Sequence, residues 1–397
     1  MEPGFRRVEL PDPESVGEDD ELVARLRAEI ADGGPITFAR FMERVLYEPG
    51  HGYYRRPEPG PGRAGDFLTA PEAHPIFGAV LGRLAEQAWD ALGRPSPFTI
   101  TEQGAGTGAL ATGLLAGLRD LGSPMLDGLR YRPVEVELAR LAALRARLEA
   151  DGLTGHLDED VAPVDAVETG AVIANEVLDA LPVHRVVGRR DGLHELLVDA
   201  TAGGFVAIEA PPTTPELAAR LAAEGVELAD GQVTEVCLGI DGWLEGAARH
   251  LARGVVILVD YADEPAALHG NARPTGTLRA FARHAVGADP FRHVGRADLT
   301  ATVDLAAVRT AAARAGLEPV GETTQAELLA SIGTGELTSS YLRRPGATLE
   351  DALLLRSALA RLLDPREMGR FRVLVFGRGL PPGTRLPGLE RIVRPGR

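Results

Sequence analysis

Residues 99–115 read TITEQGAGTGALATGLL, and they decide the fold. Phe98 and Ile100 open a short buried strand, bracketed upstream by Pro95 and Pro97. The strand meets Glu102, turns through Gly104-Ala105-Gly106-Thr107-Gly108, and enters a small-residue helix from about 109 to 118. Strand, glycine turn and helix N-terminus form the layout of a nucleotide-binding first βα unit. The glycines let the backbone turn tightly and approach a ligand with no Cβ in the way. The helix start offers free N–H groups and a positive dipole end.

Three readings of the turn stand side by side. Close helix–strand packing alone also selects glycines. Gly104, Gly106 and Ala109 fit the dinucleotide pattern G-x-G-x-x-G/A. With Glu102 the same residues fit E-x-G-x-G-x-G, the first motif of S-adenosylmethionine (SAM) methyltransferases.

Bulk properties narrow the choice. At 397 residues the chain has room for one large domain with an insertion, or two domains. Its net charge of −15 argues against nucleic-acid or anionic-membrane partners. Cys237 is the single cysteine, in the apolar run VTEVCLGI, and reads as a buried structural thiol. The chain contains no lysine, which excludes Schiff-base and P-loop chemistry and suits a GC-rich bacterial genome. No run has the ~18–20 apolar residues of a membrane span. The acidic, Pro-rich start is unlike a secretory or mitochondrial leader, so a cytoplasmic protein is expected.

Along the chain, residues 1–20 read as a frayed tail, 20–31 as an amphipathic helix and 38–47 as a second helix capped by Thr37. Residues 47–78 are irregular and rich in Gly, Pro and aromatics, with Tyr53, Tyr54, Phe67 and Phe77 costly to leave in water. A helix follows at 76–92. After the glycine unit come strands at 131–136, near His156-Leu157, and at 171–174, the last running into Asn175-Glu176. Such alternation predicts a parallel α/β sheet. Residues 183–240 break the rhythm with two or three antiparallel strands, a Pro-led helical stretch and a strand near 233, and are taken as an insertion. A helix at 241–252, a strand at 255–259 ending in Asp260-Tyr261, and an irregular stretch at 262–304 come next. Helices are expected at 304–315, 325–331 and 348–363, and strands at 318–322 and 371–376. The resulting organisation is 1–75 (tail, helices and a site loop), 76–182 (first half of the cofactor-binding core), 183–240 (inserted substrate-side subdomain) and 241–397 (second half of the core).

Acids at successive strand ends favour SAM: Glu102, Glu135, Asp158 with Glu159 and Asp160, and Glu176. SAM presents hydroxyls, an amino group, an ammonium and a sulfonium, all suited to carboxylates. A dinucleotide would set its pyrophosphate into this acidic surround.

The segments GHGYY (50–54), GDFLTAPE (65–72), EQGAGTG (102–108), IANEVLDALPVHR (173–185), VDYADE (259–264), GTLRAFARH (276–284), ADLTATVD (297–304) and GETTQAELLASIG (321–333) resemble, in this order, the MidA/NDUFAF7 family, formerly DUF185. The resemblance spans roughly residues 30–380. It implies a SAM-dependent class I methyltransferase with a Rossmann-like seven-stranded α/β sheet of order 3-2-1-4-5-7-6, strand 7 antiparallel, carrying an N-terminal helical extension and an inserted α+β subdomain. It implies SAM at Gly104, Ala105, Gly106, Thr107 and Gly108, with Asp66, Phe67 and Thr69 beside the pocket and Asn175-Glu176 beside the reacting methyl. The mitochondrial member is a protein arginine methyltransferase supporting respiratory complex I assembly. Gln103, Ala262 and Thr302 depart from the family pattern.

Methyl transfer asks the protein to position a nucleophile and remove its proton. A carboxylate pair can hold a guanidinium fork and leave one nitrogen able to attack. Glu176 and Asp179 are the candidates, with Asp66 as a second and Asn175 to orient the acceptor. His184 reads as structural. His51 reads as either a turn residue or a base. Tyr261, His284 and Asp298 are candidates to line the acceptor side. No spacing resembles a metal site. The expected partner is a protein or peptide acceptor, with a homodimer also compatible. A small-molecule methyltransferase, an NAD(P)-binding oxidoreductase and a non-catalytic SAM-binding assembly factor are the alternatives.

Overall fold

The fold, taken from a computed structural model, is described over residues 16–56, 69–158, 168–282, 285–287 and 289–389. Two capped helices lead. The Asp19 carboxylate accepts from the Leu22 N–H at 3.0 Å and starts α1 (Asp20–Gly33). The Thr37 hydroxyl accepts from the Arg40 N–H at 3.0 Å and starts α2 (Phe38–Tyr47), whose apolar positions three and four apart are buried. Next come α3 (Ile76–Ala91), β1 (Phe98–Gln103), α4 (Ala109–Asp120), β2 (Leu129–Val134), α5 (Leu138–Ala150) and β3 (Glu168–Asn175). A Cβ on Gly78 of α3 would stand 2.7 Å from the Leu114 nitrogen of α4. The small residues of the glycine-led helix therefore serve close helix packing.

The middle of the chain forms β4 (His184–Arg189), β5 (Gly192–Thr201), β6 (Gly204–Ala210), α6 (Glu216–Ala223), β7 (Val233–Val236), α7 (Gly239–Arg249) and β8 (Leu251–Asp260). The short strands that follow include β9 (Arg279–Ala282), β10 (Ala285–Gly287) and β11 (Asp298–Thr300). The last part is α8 (Leu305–Arg314), β12 (Glu318–Thr324), α9 (Gln325–Ser331), α10 (Thr334–Arg343), α11 (Leu349–Leu363) and β13 (Arg372–Arg378).

The main sheet runs β12-β13-β8-β3-β1-β2. β2, β1, β3 and β8 are parallel, and β13 is antiparallel to both its neighbours. Gly170 to Ala174 of β3 and Val255 to Asp260 of β8 are buried without alternation, as central parallel strands covered on both faces must be. Of the seventh strand expected near His156-Leu157, the described residues show a single parallel bridge, Tyr131 to Leu157.

A second sheet joins β4 to β7 with Ile36–Thr37, which pairs antiparallel with β5. The N-terminal helices and the insertion, read in the sequence as separate pieces, share an apolar core with the segment after β8. Phe41 lies edge-on to Phe205 and Phe291, each at 5.4 Å. The stretch 262–304, expected to be irregular, contains the small sheet β10-β9-β11. Among the described residues no helix is long and apolar enough to cross a membrane.

Candidate active site

The carboxyl edge of the main sheet gathers the glycine turn, the end of β3 and the end of β8. Gly104, Gly106 and Gly108 have φ of 70°, 52° and 84°. A Cβ on Gly108 would meet Leu144 at 2.7 Å, and one on Gly104 would meet Val177 at 3.0 Å, whereas one on Gly106 would meet nothing within 4 Å. Gly106 is thus left-handed backbone facing open space, a cradle that a side chain would fill.

The end of β2 latches the turn. The Gly104 and Ala105 N–H groups donate to the Val134 carbonyl at 2.9 and 3.0 Å. The Gly106 N–H donates to Glu135 Oε2 at 2.8 Å, while Glu135 Oε1 accepts from the Val136 N–H at 2.7 Å. The Thr107 hydroxyl donates to Glu72 Oε1 at 3.1 Å, which Arg147 also holds at 3.2 Å. Thr69 precedes the helical turn Ala70–Ala73.

Two expected cofactor contacts are engaged elsewhere. Glu102, 3% exposed, accepts from the Tyr131 hydroxyl at 2.5 Å. Burial pushes its carboxyl up to about 8. Asp158 is bound to Arg132, which also grips Glu168 at the start of β3. Asp66, Phe67 and His284 lie outside the described residues.

At the end of β3 the backbone is strained. Glu176 has φ of 53°, uncommon for a residue with a side chain and frequent at functional sites. Its N–H donates to the Val259 carbonyl at 2.9 Å. Glu176 Oε1 accepts from Asn175 Nδ2 at 2.9 Å and from the Ala70 N–H at 3.3 Å. The Asn175 Oδ1 is buried with no hydrogen-bond partner. The orientation of that amide follows from the bond to Glu176.

Asp260, 2% exposed, shapes the loop after β3. Its Oδ2 accepts from the N–H groups of Val177, Leu178 and Asp179 at 3.2, 2.9 and 3.4 Å. Its Oδ1 accepts from the Tyr261 N–H at 2.8 Å. Asp298 is fully buried and accepts from the Tyr54 hydroxyl at 2.9 Å. The Tyr47 hydroxyl donates to the Ala180 carbonyl at 3.0 Å, and the rings of Tyr47 and Tyr54 stack at 5.5 Å.

Burial pushes Glu176 up to about 7 against its hydrogen bonds from Asn175 and Ala70, with the charges of Asp260 and Asp298 adding to the rise. Burial pushes Asp260 up to about 7 against its four backbone hydrogen bonds. Burial, then the neighbouring carboxylates, raise Asp179 well above the usual range. Among the described residues no arginine pairs with Glu176, Asp179 or Asp260. The described edge is therefore a cluster of carboxyl groups in which burial and mutual repulsion disfavour the charged forms.

Of the other candidates, His184 Nδ1 lies 2.7 Å from Glu195, which is fully buried and also accepts from Thr213. His51 pairs with Asp19 at 3.0 Å. Tyr261 packs under Arg370, 4.2 Å from the ring centre. Cys237 faces the Pro182 carbonyl at 3.6 Å, its thiol raised by burial to about 11. Sequence reasoning missed the anchoring by Asp260 and the two phenols. The apolar run ending in Asp260 was its visible signal.

The profile of the family described as "Putative S-adenosyl-L-methionine-dependent methyltransferase" matches residues 80–323. The Drosophila melanogaster protein named "Protein arginine methyltransferase NDUFAF7 homolog, mitochondrial" is 30% identical over 404 residues, covering 94% of this chain and 89% of the relative. The Homo sapiens protein of that family is 28% identical over 393 residues, covering 92% and 85%. A crystal structure of a Burkholderia thailandensis protein bound to S-adenosyl-homocysteine is similar with a TM-score of 0.82 and 35% identity, over 96% of this chain and 97% of that one.

Proposed function

This chain belongs to the SAM-dependent methyltransferase family of the MidA and NDUFAF7 proteins, and from that premise we propose that it methylates a guanidino nitrogen of protein arginine. The observation that carries the acceptor class is the cluster of half-buried Glu176 and Asp179 over buried Asp260, which has no arginine partner among the described residues. An entering guanidinium removes the like-charge cost and satisfies several carboxylate oxygens at once. The names of the relatives support the same class.

The Gly106 cradle and the Glu135 carboxylate fit SAM, being open backbone beside an acid at the end of β2. Gly104, Ala105, Gly106, Thr107 and Gly108 would hold it, with Glu135, Thr69 and Asn175 around it. SAM supplies, when bound, an electrophilic methyl on a sulfonium. Glu102 and Asp158 are assigned support roles, beneath the turn and beside β2.

The remaining work falls to this chain's own residues. Both hydrogen bonds observed at Glu176 fall on Oε1, which leaves Oε2 for the acceptor. Glu176 and Asp179 hold the guanidinium fork and localise its charge away from the attacking nitrogen. Glu176, raised to about 7, is matched to accept that nitrogen's proton near neutral pH. The unpartnered Asn175 Oδ1 accepts from an acceptor N–H and fixes its orientation.

The test is transfer of labelled methyl from SAM into proteins of a source-organism lysate, with the modified atom found by mass spectrometry. Label on arginine nitrogen is the expected result. Label confined to small metabolites rejects a protein acceptor, and SAM binding without transfer assigns a non-catalytic role. Gly106→Val is the control, with SAM affinity lost in calorimetry while the fold persists.

A further inference from the structure

Away from the acidic recess, three segments distant in sequence converge on one buried point. Glu224 ends α6 in the inserted subdomain. His269 follows the helical turn Pro265–Leu268. Asp304 caps α8 in the core, its Oδ1 accepting from the N–H groups of Ala306 and Ala307 at 2.7 and 3.1 Å. One ligand atom from each residue lies within 4.8 Å of the others.

The Glu224 side chain is 6% exposed, and both its oxygens are buried with no hydrogen-bond partner. His269 Nε2 stands 3.7 Å away, too far for a hydrogen bond, and 3.2 Å from Asp304 Oδ2. A buried carboxylate left in this state costs free energy that a bound ligand can recover.

The arrangement has the features of a metal site. His269 Nδ1 lies 2.7 Å from the Thr234 hydroxyl, the outer partner that turns the Nε2 lone pair inward. Gln232 Nε2 donates to the His269 carbonyl at 2.7 Å and fixes the residue from behind. Four ligands about 2.0–2.1 Å from a tetrahedral Zn²⁺ are about 3.4 Å apart, and the two distances from Nε2 bracket that edge. An imidazolium between two ionised carboxylates leaves a buried net negative charge. A divalent ion with neutral imidazole brings the trio to zero and bonds all three.

We propose that Glu224, His269 and Asp304 bind one divalent transition-metal ion, Zn²⁺ in the first instance, which fastens the inserted subdomain to the core. The fourth position is left to water. The clip is structural: it ties α6 to the start of α8, and it lies outside the residues assigned to methyl transfer.

The full chain is produced in zinc-supplemented medium, dialysed against metal-free buffer and measured by elemental mass spectrometry. About one zinc per chain is expected, together with visible cobalt bands of a tetrahedral site after exchange into Co²⁺. Glu224→Gln is nearly isosteric and is expected to lower zinc affinity at least about tenfold. It should also abolish the zinc-dependent rise in thermal midpoint, with SAM affinity unchanged. Wild-type protein that retains no zinc and shows no cobalt bands overturns the site, whatever the variant does. So does equal zinc in wild type and Glu224→Gln.

Discussion

Asp158 and Glu168 share the guanidinium of Arg132, whereas Glu176, Asp179 and Asp260, further along the same sheet, have no arginine partner among the described residues. Burial works against the charged form in both places. At Glu168 the Arg132 and Thr99 hydrogen bonds outweigh it, and the carboxyl sits below its ordinary range. At Glu176 and Asp260 burial prevails, and both rise to about 7. An acid given an internal cation is part of the scaffold. A group of acids denied one is prepared for a cation from outside.

The sharpest way to break this contrast is Glu176→Gln. Methyl transfer should fall by about 10²–10⁴-fold, as expected on losing a positioned base, with SAM affinity within a few-fold and unfolding stability equal or higher. Retained turnover would remove Glu176 from the chemistry. On the other side, Arg132→Met should cost about 2–3 kcal/mol in urea unfolding, below the full penalty for a buried pair because Arg132 is partly exposed. Turnover at temperatures below melting should stay unchanged.

A pH series sharpens the same point. The folded-state value of Glu176 lies above its unfolded value, so the folded chain binds the extra proton between about 4.5 and about 7. The cost of its charge is absent below that window, grows as pH rises through it, and is constant above. The stability gap between Glu176→Gln and wild type should therefore open over this range, to roughly 3 kcal/mol. An arginine-bearing acceptor peptide should narrow it. A gap independent of pH would contradict the assignment. The smallest effect belongs to Tyr54→Phe, which removes one hydrogen bond to Asp298 and should cost about 1 kcal/mol, read as a rise in acceptor KM or a loss of stability.

Much of the scaffold was legible because its signals are local. Thr37 and apolar residues three and four apart set the limits of α2, and the structure gives the same ones. The run into Asn175-Glu176 announced the end of a buried strand with a polar tip. What stayed hidden depends on partners distant in sequence. An acid at a strand end looks alike whether it faces a ligand, as assigned to Glu135, or another side chain. Only the folded sheet brings Tyr131 to Glu102 and Arg132 to Asp158. The insertion and the N-terminal helices looked separate because Ile36–Thr37 is too short to read as a strand until β5 pairs with it. Helix α10 was missed because TGELTSSYLR has only Leu337 and Tyr341, four apart, to mark its buried face.

Asp260 constrains how such a protein can change its target. One carboxylate moulds the backbone of Val177, Leu178 and Asp179 and also contributes to the electrostatics of the recess. Replacing it would re-thread the loop that carries Asp179 and, with it, the geometry of the reaction. A change of acceptor is therefore left to surfaces free of that double duty, the insertion and the short β9–β11 sheet, while the edge that carries Glu176 and Asp179 stays as it is.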